Sequence, residues 1–213
     1  MRVAEIWRYP VKSMAGERLA EAEIGPDGIA GDRVVQVAGP GGRILTARTH
    51  PRLLGHRAAL GTDGEPRVDG RPWREPGVAE DVARAAGPEA RLVRHEGRDR
   101  FDVLPLLIAT DGAIEAFGRG GRRLRPNLVV GGVSGLAERG WEGRLLRVGP
   151  ARIRLAGLRA RCVMTTFDPD TLAQDHRVLR EIVERFGGTL ALDASVERGG
   201  TVREGDPVEL LGG

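Results

Sequence analysis

Glycine and proline interrupt this chain so often that they decide what it can fold into. Of its 213 residues, 32 are Gly and 13 are Pro, and glycine stands at about twice its ~7% average share. Glycine admits positive φ and proline removes a backbone donor, so the chain reads as short strands joined by tight turns and not as a helical bundle. Gly25-Pro26-Asp27-Gly28 and Gly39-Pro40-Gly41-Gly42 are turn signals. Residues 3–8, 19–24, 34–37, 43–46 and 90–95 have strand composition, and 61–77 read as a loop-rich excursion. In the second half, 103–109, 128–130, 145–148, 152–155, 189–196 and 206–211 read as strands, the last two around a Gly199-Gly200 turn.

Helix signals are few. A short helix is expected from Thr49 with Pro51 in its first turn, and another over 78–86, stopped by Gly87-Pro88. Thr110 can cap a helix over 111–117, with Gly118 after it. The strongest helical pattern is 175–186, where Val178, Leu179, Ile182, Val183 and Phe186 share a face and Gly187 closes the end. Strands outnumber helices and do not alternate with them, which excludes a doubly wound sheet and gives a β-rich α+β class, barrel-like, with about three short helices. No internal repeat is present. A boundary between two halves falls in 75–100.

Charge and cysteine content narrow the chemistry. The net charge is +3, and 32 of the 33 cationic residues are Arg. Acids alternate with them, so no nucleic-acid stripe emerges, and eight aromatic residues are too few for a base-stacking platform. The single cysteine, Cys162, excludes an intramolecular disulfide, a Cys-rich zinc site and a four-thiolate iron–sulfur cluster. The four histidines show no i,i+4 pair, and neither a phosphate loop nor a dinucleotide fingerprint is present. The N-terminus has no apolar signal core and no run approaches the ~20 residues of a membrane span. A cytoplasmic protein is the expectation.

Two residues stand out by their rarity. Lys12, the only lysine, follows Pro10 on the loop after the first strand, beside Ser13. It reads either as a compact charge kept to hold a phosphate with Ser13, or as a chance survivor of arginine replacement. Cys162 follows Arg161, with Arg159 two further back. It reads either as a small buried hydrophobe or as a thiol that neighbouring cations favour as thiolate, the form that attacks and binds metals. Arg33 and Arg125 each precede a strand and can aim a guanidinium at an anion, or simply end a loop.

In order along the chain, Tyr-Pro-Val-Lys-Ser (9–13), Gly-Ile-Ala-Gly-Asp-Arg (28–33), Leu-Thr-Ala-Arg (45–48), Arg-Pro-Asn-Leu-Val-Val (125–130), Trp141, Arg-Cys-Val-Met-Thr-Thr-Phe-Asp-Pro-Asp-Thr (161–171) and Gly-Asp-Pro-Val (205–208) resemble the MOSC family. This is the family of molybdenum-cofactor sulfurase C-termini and amidoxime-reducing enzymes. The resemblance implies a MOSC β-barrel (89–213) preceded by an interlocked N-terminal β-rich subdomain (1–88). It also implies a molybdenum cofactor with Cys162 as the protein's metal ligand. Cofactor contacts fall on Lys12, Ser13, Arg33, Arg125, Asn127 and Arg161, and a helix N-terminus at Thr110 and Asp111 would add an anion site. The implied activity is reduction of small N-hydroxylated substrates, with electrons from a separate protein of ferredoxin, flavoprotein or cytochrome type. A Cys162 persulfide carrier and a non-catalytic module binding molybdopterin or pyridoxal phosphate are the alternative expectations.

Overall fold

The computed structural model describes residues 1–212. Its largest element is an eight-stranded sheet. The strand order is Val208–Leu211, Leu145–Val148, Ala151–Ala160, Thr189–Arg198, Leu106–Thr110, Leu128–Gly131, Arg2–Arg8, Glu17–Leu19. All neighbours are antiparallel except Leu106–Thr110 and Leu128–Gly131, which are parallel and joined by helix α1 (Asp111–Phe117). The sheet closes where the start of Val208–Leu211 meets the start of Arg2–Arg8. Val208 donates its backbone N–H to the Met1 carbonyl (3.0 Å) and Val3 donates to the Asp206 carbonyl (2.9 Å). A smaller sheet of Gly200–Arg203, Glu21–Gly25 and Gly28–Ile29 covers the rest of the same core. Ile6, Ile24, Ile108, Leu146, Ile153 and Leu192 fill that core, so the β-rich, barrel-like α+β class read from the sequence is the observed one.

The N-terminal half has a core of its own. The sheet of Arg91–Arg94, Val35–Ala38 and Ile44–Leu45 presents Val35, Val37 and Leu45 to the helix Pro76–Ala86. Val78, Val82 and Ala86 of that helix, one every four residues, face back. The excursion at 61–77 is not a plain loop. Ala58–Leu60, Pro66–Val68 and Arg71–Pro72 form a three-stranded meander. Asp69 (φ 51°) and Gly70 (φ 81°) make its two-residue hairpin turn, a turn type whose dipeptide was there to be read.

Other boundaries differ for physical reasons. The run 19–24 breaks at Ala20, because Glu17–Leu19 pairs with the first strand while Glu21–Gly25 pairs with Gly200–Arg203. The apolar run 103–109 becomes a strand only from Leu106, and Val103 is 60% exposed. The expected short helix after Thr49 is a single 3-10 turn, Pro51–Gly55. The last helix spans Arg177–Phe186, with the Asp175 carboxylate still accepting from the Arg177 N–H (3.0 Å). Its buried face is narrower than the pattern implied: Val178, Ile182 and Phe186 pack on Phe117, Leu124 and Leu190, whereas Val183 is 57% exposed. Ile182→Ala should therefore cost about 2–5 kcal/mol in urea unfolding, and Val183→Ser should stay within about 0.5 kcal/mol of wild type.

Candidate active site

One strand carries the chain into the site. Ala151–Ala160 starts as a regular alternation, with Ala151, Ile153 and Leu155 buried and Arg152 and Ala156 exposed. A first register shift, between Arg152 and Ile153, leaves that alternation in place, and two more fall between Leu155 and Gly157 and between Leu158 and Ala160. Bulges of this kind re-aim side chains, and at and beyond the last of them Arg159, Arg161 and Cys162 all line one cleft. Facing them are Lys12 and Ser13 from the loop after the first strand, Arg33, Arg48 and Asp102, with Arg123, Arg125 and Asn127 from the segment before Leu128–Gly131. The cleft holds about 830 Å³ of atom-free space, part of it open to solvent.

Strain concentrates here. Six described residues other than glycine have positive φ, and three of them, Ser13 (73°), Arg33 (55°) and Arg125 (55°), line the cleft. Such conformations cost about 1–3 kcal/mol each and persist where the surroundings over-determine them. The surroundings are identifiable. The Ser13 hydroxyl oxygen accepts from the Ala47 N–H (3.0 Å). Asp32, fully buried, accepts from the Tyr9 N–H (2.7 Å), from the Asn127 amide (3.2 Å) and from the Arg33 guanidinium. Asn127 in turn accepts from the Leu107 N–H (3.1 Å). Tyr9 packs its ring under both arginines, 5.2 Å from Arg33 and 4.3 Å from Arg125, and donates its hydroxyl to the Pro126 carbonyl (3.1 Å). Burial pushes the Tyr9 hydroxyl up to about 12, so it stays protonated.

The electrostatics are one-sided. Seven cationic side chains line the cleft against one carboxylate, Asp102. Burial raises Asp102, but Lys12 and Arg48 outweigh it and hold the group below the usual carboxylate range. Lys12 donates its ammonium to the Arg100 carbonyl (2.7 Å) and pairs with Asp102 (3.1 Å). Arg159 donates to Asp193 (2.7 Å) and Arg123 to Asp168 (2.9 Å). Arg125 and Arg161 are different. Burial lowers both, Arg161 to about 10, with Arg159 adding to the effect there. Arg161 donates its Nη2 to the Leu124 carbonyl (2.7 Å) but its Nε is buried with no partner, and the Arg125 guanidinium has no hydrogen-bond acceptor among the described residues. Cys162 is half-buried and shares the cleft with Arg48, whose guanidinium donates to Asp102 (2.8 Å).

Of the residues singled out from sequence, the structure gathers Lys12, Ser13, Arg33, Arg125, Asn127, Arg161 and Cys162 around this cleft. Thr110 and Asp111 are not brought to it. They sit three and four residues beyond Leu107 along strand and helix, roughly 10 Å from the cleft end of the strand. Their polar atoms are also spent: the Thr110 hydroxyl caps Ala113 N–H (3.1 Å), and the Asp111 carboxylate accepts from Gly132 (2.6 Å) and Val133 (3.0 Å). The sequence reading missed Asp32 and Tyr9 beneath the site, and Arg48, Asp102 and Arg123 within it, and it names Arg159 only as a cation near the thiol. The Gly-Asp-Arg block did contain Asp32, but an acid beside an arginine looks like ordinary surface.

Comparison with known proteins places this geometry. The MOSC N-terminal beta barrel domain matches residues 1–102, and the MOSC domain matches residues 117–209. The chain belongs to the MOSC family. Among curated relatives, mitochondrial amidoxime-reducing component 1 of Mus musculus is 27% identical, over 99% of this chain and 82% of the relative. The Homo sapiens component 1 is 25% identical, over 99% and 83%. The YuaD protein of Bacillus subtilis superposes with a TM-score of 0.55 at 14% identity, over 98% of this chain and 94% of its own, a likeness of fold. The relatives are mitochondrial by name. In this MOSC protein no helix among the described residues is long and apolar enough to cross a membrane.

Proposed function

We propose that this MOSC protein holds a molybdenum cofactor in the cationic cleft and reduces N-hydroxylated small molecules with electrons from a separate protein. The observation that carries the reading is the meeting of the only thiol with two buried arginines that keep donors without a protein acceptor, the Arg125 guanidinium and the Arg161 Nε. The donor set fits the group. No trio of His, Cys, Asp or Glu side chains gathers in metal-holding fashion among the described residues, so a metal at Cys162 must arrive in a chelate that brings most of its own ligands. An organic chelate with an anionic group matches seven cations and the open donors of Arg125 and Arg161. A soft thiolate suits such a metal.

When bound, the molybdenum supplies the two-electron change that takes oxygen from an N-hydroxyl group. The protein's part is to hold and orient. Cys162 offers its sulfur. Arg33, Arg125, Arg161 and Lys12 counter the anionic charge, and Ser13 and Asn127 fix the loops that carry them. Arg48, held by Asp102, adds a fixed positive charge to the cleft that the thiol lines. One cysteine cannot hold an iron–sulfur cluster, so the electrons are assigned to a ferredoxin, flavoprotein or cytochrome partner. Amidoxime reduction in the relatives' names supports the substrate class.

Protein made in hosts with and without the molybdenum-cofactor pathway tests this by elemental analysis. Near-stoichiometric molybdenum is expected from the first host and none from the second. Arg125→Asn keeps a residue tolerant of positive φ and removes the charge. It should lower molybdenum retention on dilution about tenfold, the scale of one charged hydrogen bond, while the melting temperature of the metal-free protein drops by only a few degrees through the lost contact with Tyr9.

The half-buried, arginine-flanked thiol also supports a second reading, in which Cys162 carries a persulfide for transfer. Trapping that persulfide in protein free of molybdenum would favour it. The pyridoxal alternative gains no such support, because the Lys12 amine is committed to Arg100 and Asp102.

A further inference from the structure

The N-terminal sheet has a second face that the reading above leaves unused. Val35 and Val37 point into the core, so strand alternation turns Gln36 and Ala38 the other way. The register sets Val93 opposite Gln36, and Arg91 and Ile44 on either side of Ala38. Together they floor a second cleft, with about 1060 Å³ of atom-free space open to solvent. Its border with the first cleft is only one layer of side chains: Lys12, Thr46, Arg48 and Asp102 line both.

Two residues of this floor have polar capacity that the protein does not use. Gln36 is 3% exposed, yet its side-chain amide has no hydrogen-bond partner among the described residues. Its polar atoms open onto the cleft, where water meets them until a ligand takes that place. Arg91 makes no ion pair or side-chain hydrogen bond with the described residues. The other charges facing this cleft are matched. Asp99 pairs with His95, Asp102 with Lys12 and Arg48, and Arg94 with Glu65 and Glu96. Arg91 is the cation left over. It lies diagonally across neighbouring strands from Gln36, a spacing of about 7–8 Å that long side chains bridge.

We propose that this floor binds the oxyanion, carboxylate or phosphate, of a small molecule. Arg91 presents its planar fork to two oxygens and the Gln36 amide donates to the same group. Ile44 and Val93 contact the apolar part next to it. The rest of the molecule crosses the Lys12–Arg48–Asp102 border toward Cys162. This last step rests on the reductase reading, and with it the substrate class becomes an N-hydroxylated compound carrying an acid group at its far end.

Binding and turnover test the two parts separately. Purified protein labelled at side-chain amides is titrated with benzoate in one arm and inorganic phosphate in the other, as wild type, Arg91→Gln and Gln36→Leu. Saturable movement of the Gln36 amide signal is expected in at least one arm, which identifies the oxyanion. Read at the Gln36 amide, affinity should weaken about tenfold in Arg91→Gln; in Gln36→Leu, which lacks that signal, calorimetry should show a similar weakening in the same arm. Loaded enzyme is then assayed with benzamidoxime and its para-carboxylate. Arg91→Gln should raise KM about tenfold for the carboxylate alone, with kcat unchanged. Titrations that fail to saturate, or that match in wild type and both variants, overturn the site. Equal KM changes for the two substrates overturn its link to turnover. If neither substrate reacts while the amide signal still saturates, the anion site stands and the reductase reading fails.

Discussion

Cys162→Ser should abolish N-hydroxy reduction, lowering it by at least about a hundredfold, while leaving the fold intact. A ligand's outer-shell partners alone are worth 10- to 100-fold in metal affinity or activity, and loss of the ligand itself should exceed that. The substituted hydroxyl is nearly the same size but is a hard, poorly ionised donor where a soft thiolate suits the metal. Cys162 is half-buried at the start of the 3-10 turn Val163–Thr166, and its carbonyl, not its sulfur, accepts the bonds that hold that turn (Thr165 N–H 3.0 Å, Thr165 hydroxyl 2.9 Å). The metal-free variant should therefore melt within a few degrees of wild type. X-ray absorption at the molybdenum edge supplies a readout independent of turnover: the wild type should show one more sulfur neighbour than the variant. Full activity in Cys162→Ser, or wild type without molybdenum from a cofactor-replete host, would overturn the reading.

What could be read from sequence was local or rare. The cap at Thr110 and stop at Gly118 define α1 to the residue, because capping is chemistry within four positions. Lys12 and Cys162 were visible by arithmetic, and the structure places both on one cleft although 150 residues separate them. Long-range pairing was not legible. The sequence reading has a turn at Gly199-Gly200 and no strand over 201–203, because these residues have no strand pattern of their own, yet Glu21–Gly25 lies open beside Gly200–Arg203 and completes the ladder. The ten-residue strand Ala151–Ala160 was seen only in its alternating first half, since the bulges erase the period-two signal where the cleft begins. The turn at Thr110 and Asp111 looked like a free anion site. Whether a helix N-terminus is free depends on what folds back onto it, and here Asp111 is turned outward to tie down the Gly132–Val133 loop.

The same limit hid Asp32, whose replacement should have the largest effect on stability of any single change at the site. Its carboxylate is fully buried and joins three separate segments: the Tyr9 N–H after the first strand, Arg33 beside it, and Asn127 ahead of Leu128–Gly131. Asp32→Ala would leave three donors facing a void and a guanidinium without its counter-charge. Breaking a buried pair from one side costs about 3–5 kcal/mol, a large share of the 5–15 kcal/mol that holds a typical domain. Asp32→Asn keeps the volume and one acceptor for Tyr9, but turns an amide toward donors. It should cost about 1–3 kcal/mol, the penalty of leaving partners unsatisfied. Urea unfolding of the metal-free proteins gives both values. The two variants separate support of the fold from support of the site. If Asp32 holds Arg33 and Asn127 in place for an anionic cofactor, Asp32→Asn should be folded at room temperature yet retain at least tenfold less molybdenum than wild type. A variant that unfolds at lower urea but keeps its full metal content would confine Asp32 to the fold, and would leave the positive-φ conformation of Arg33 without a part in binding.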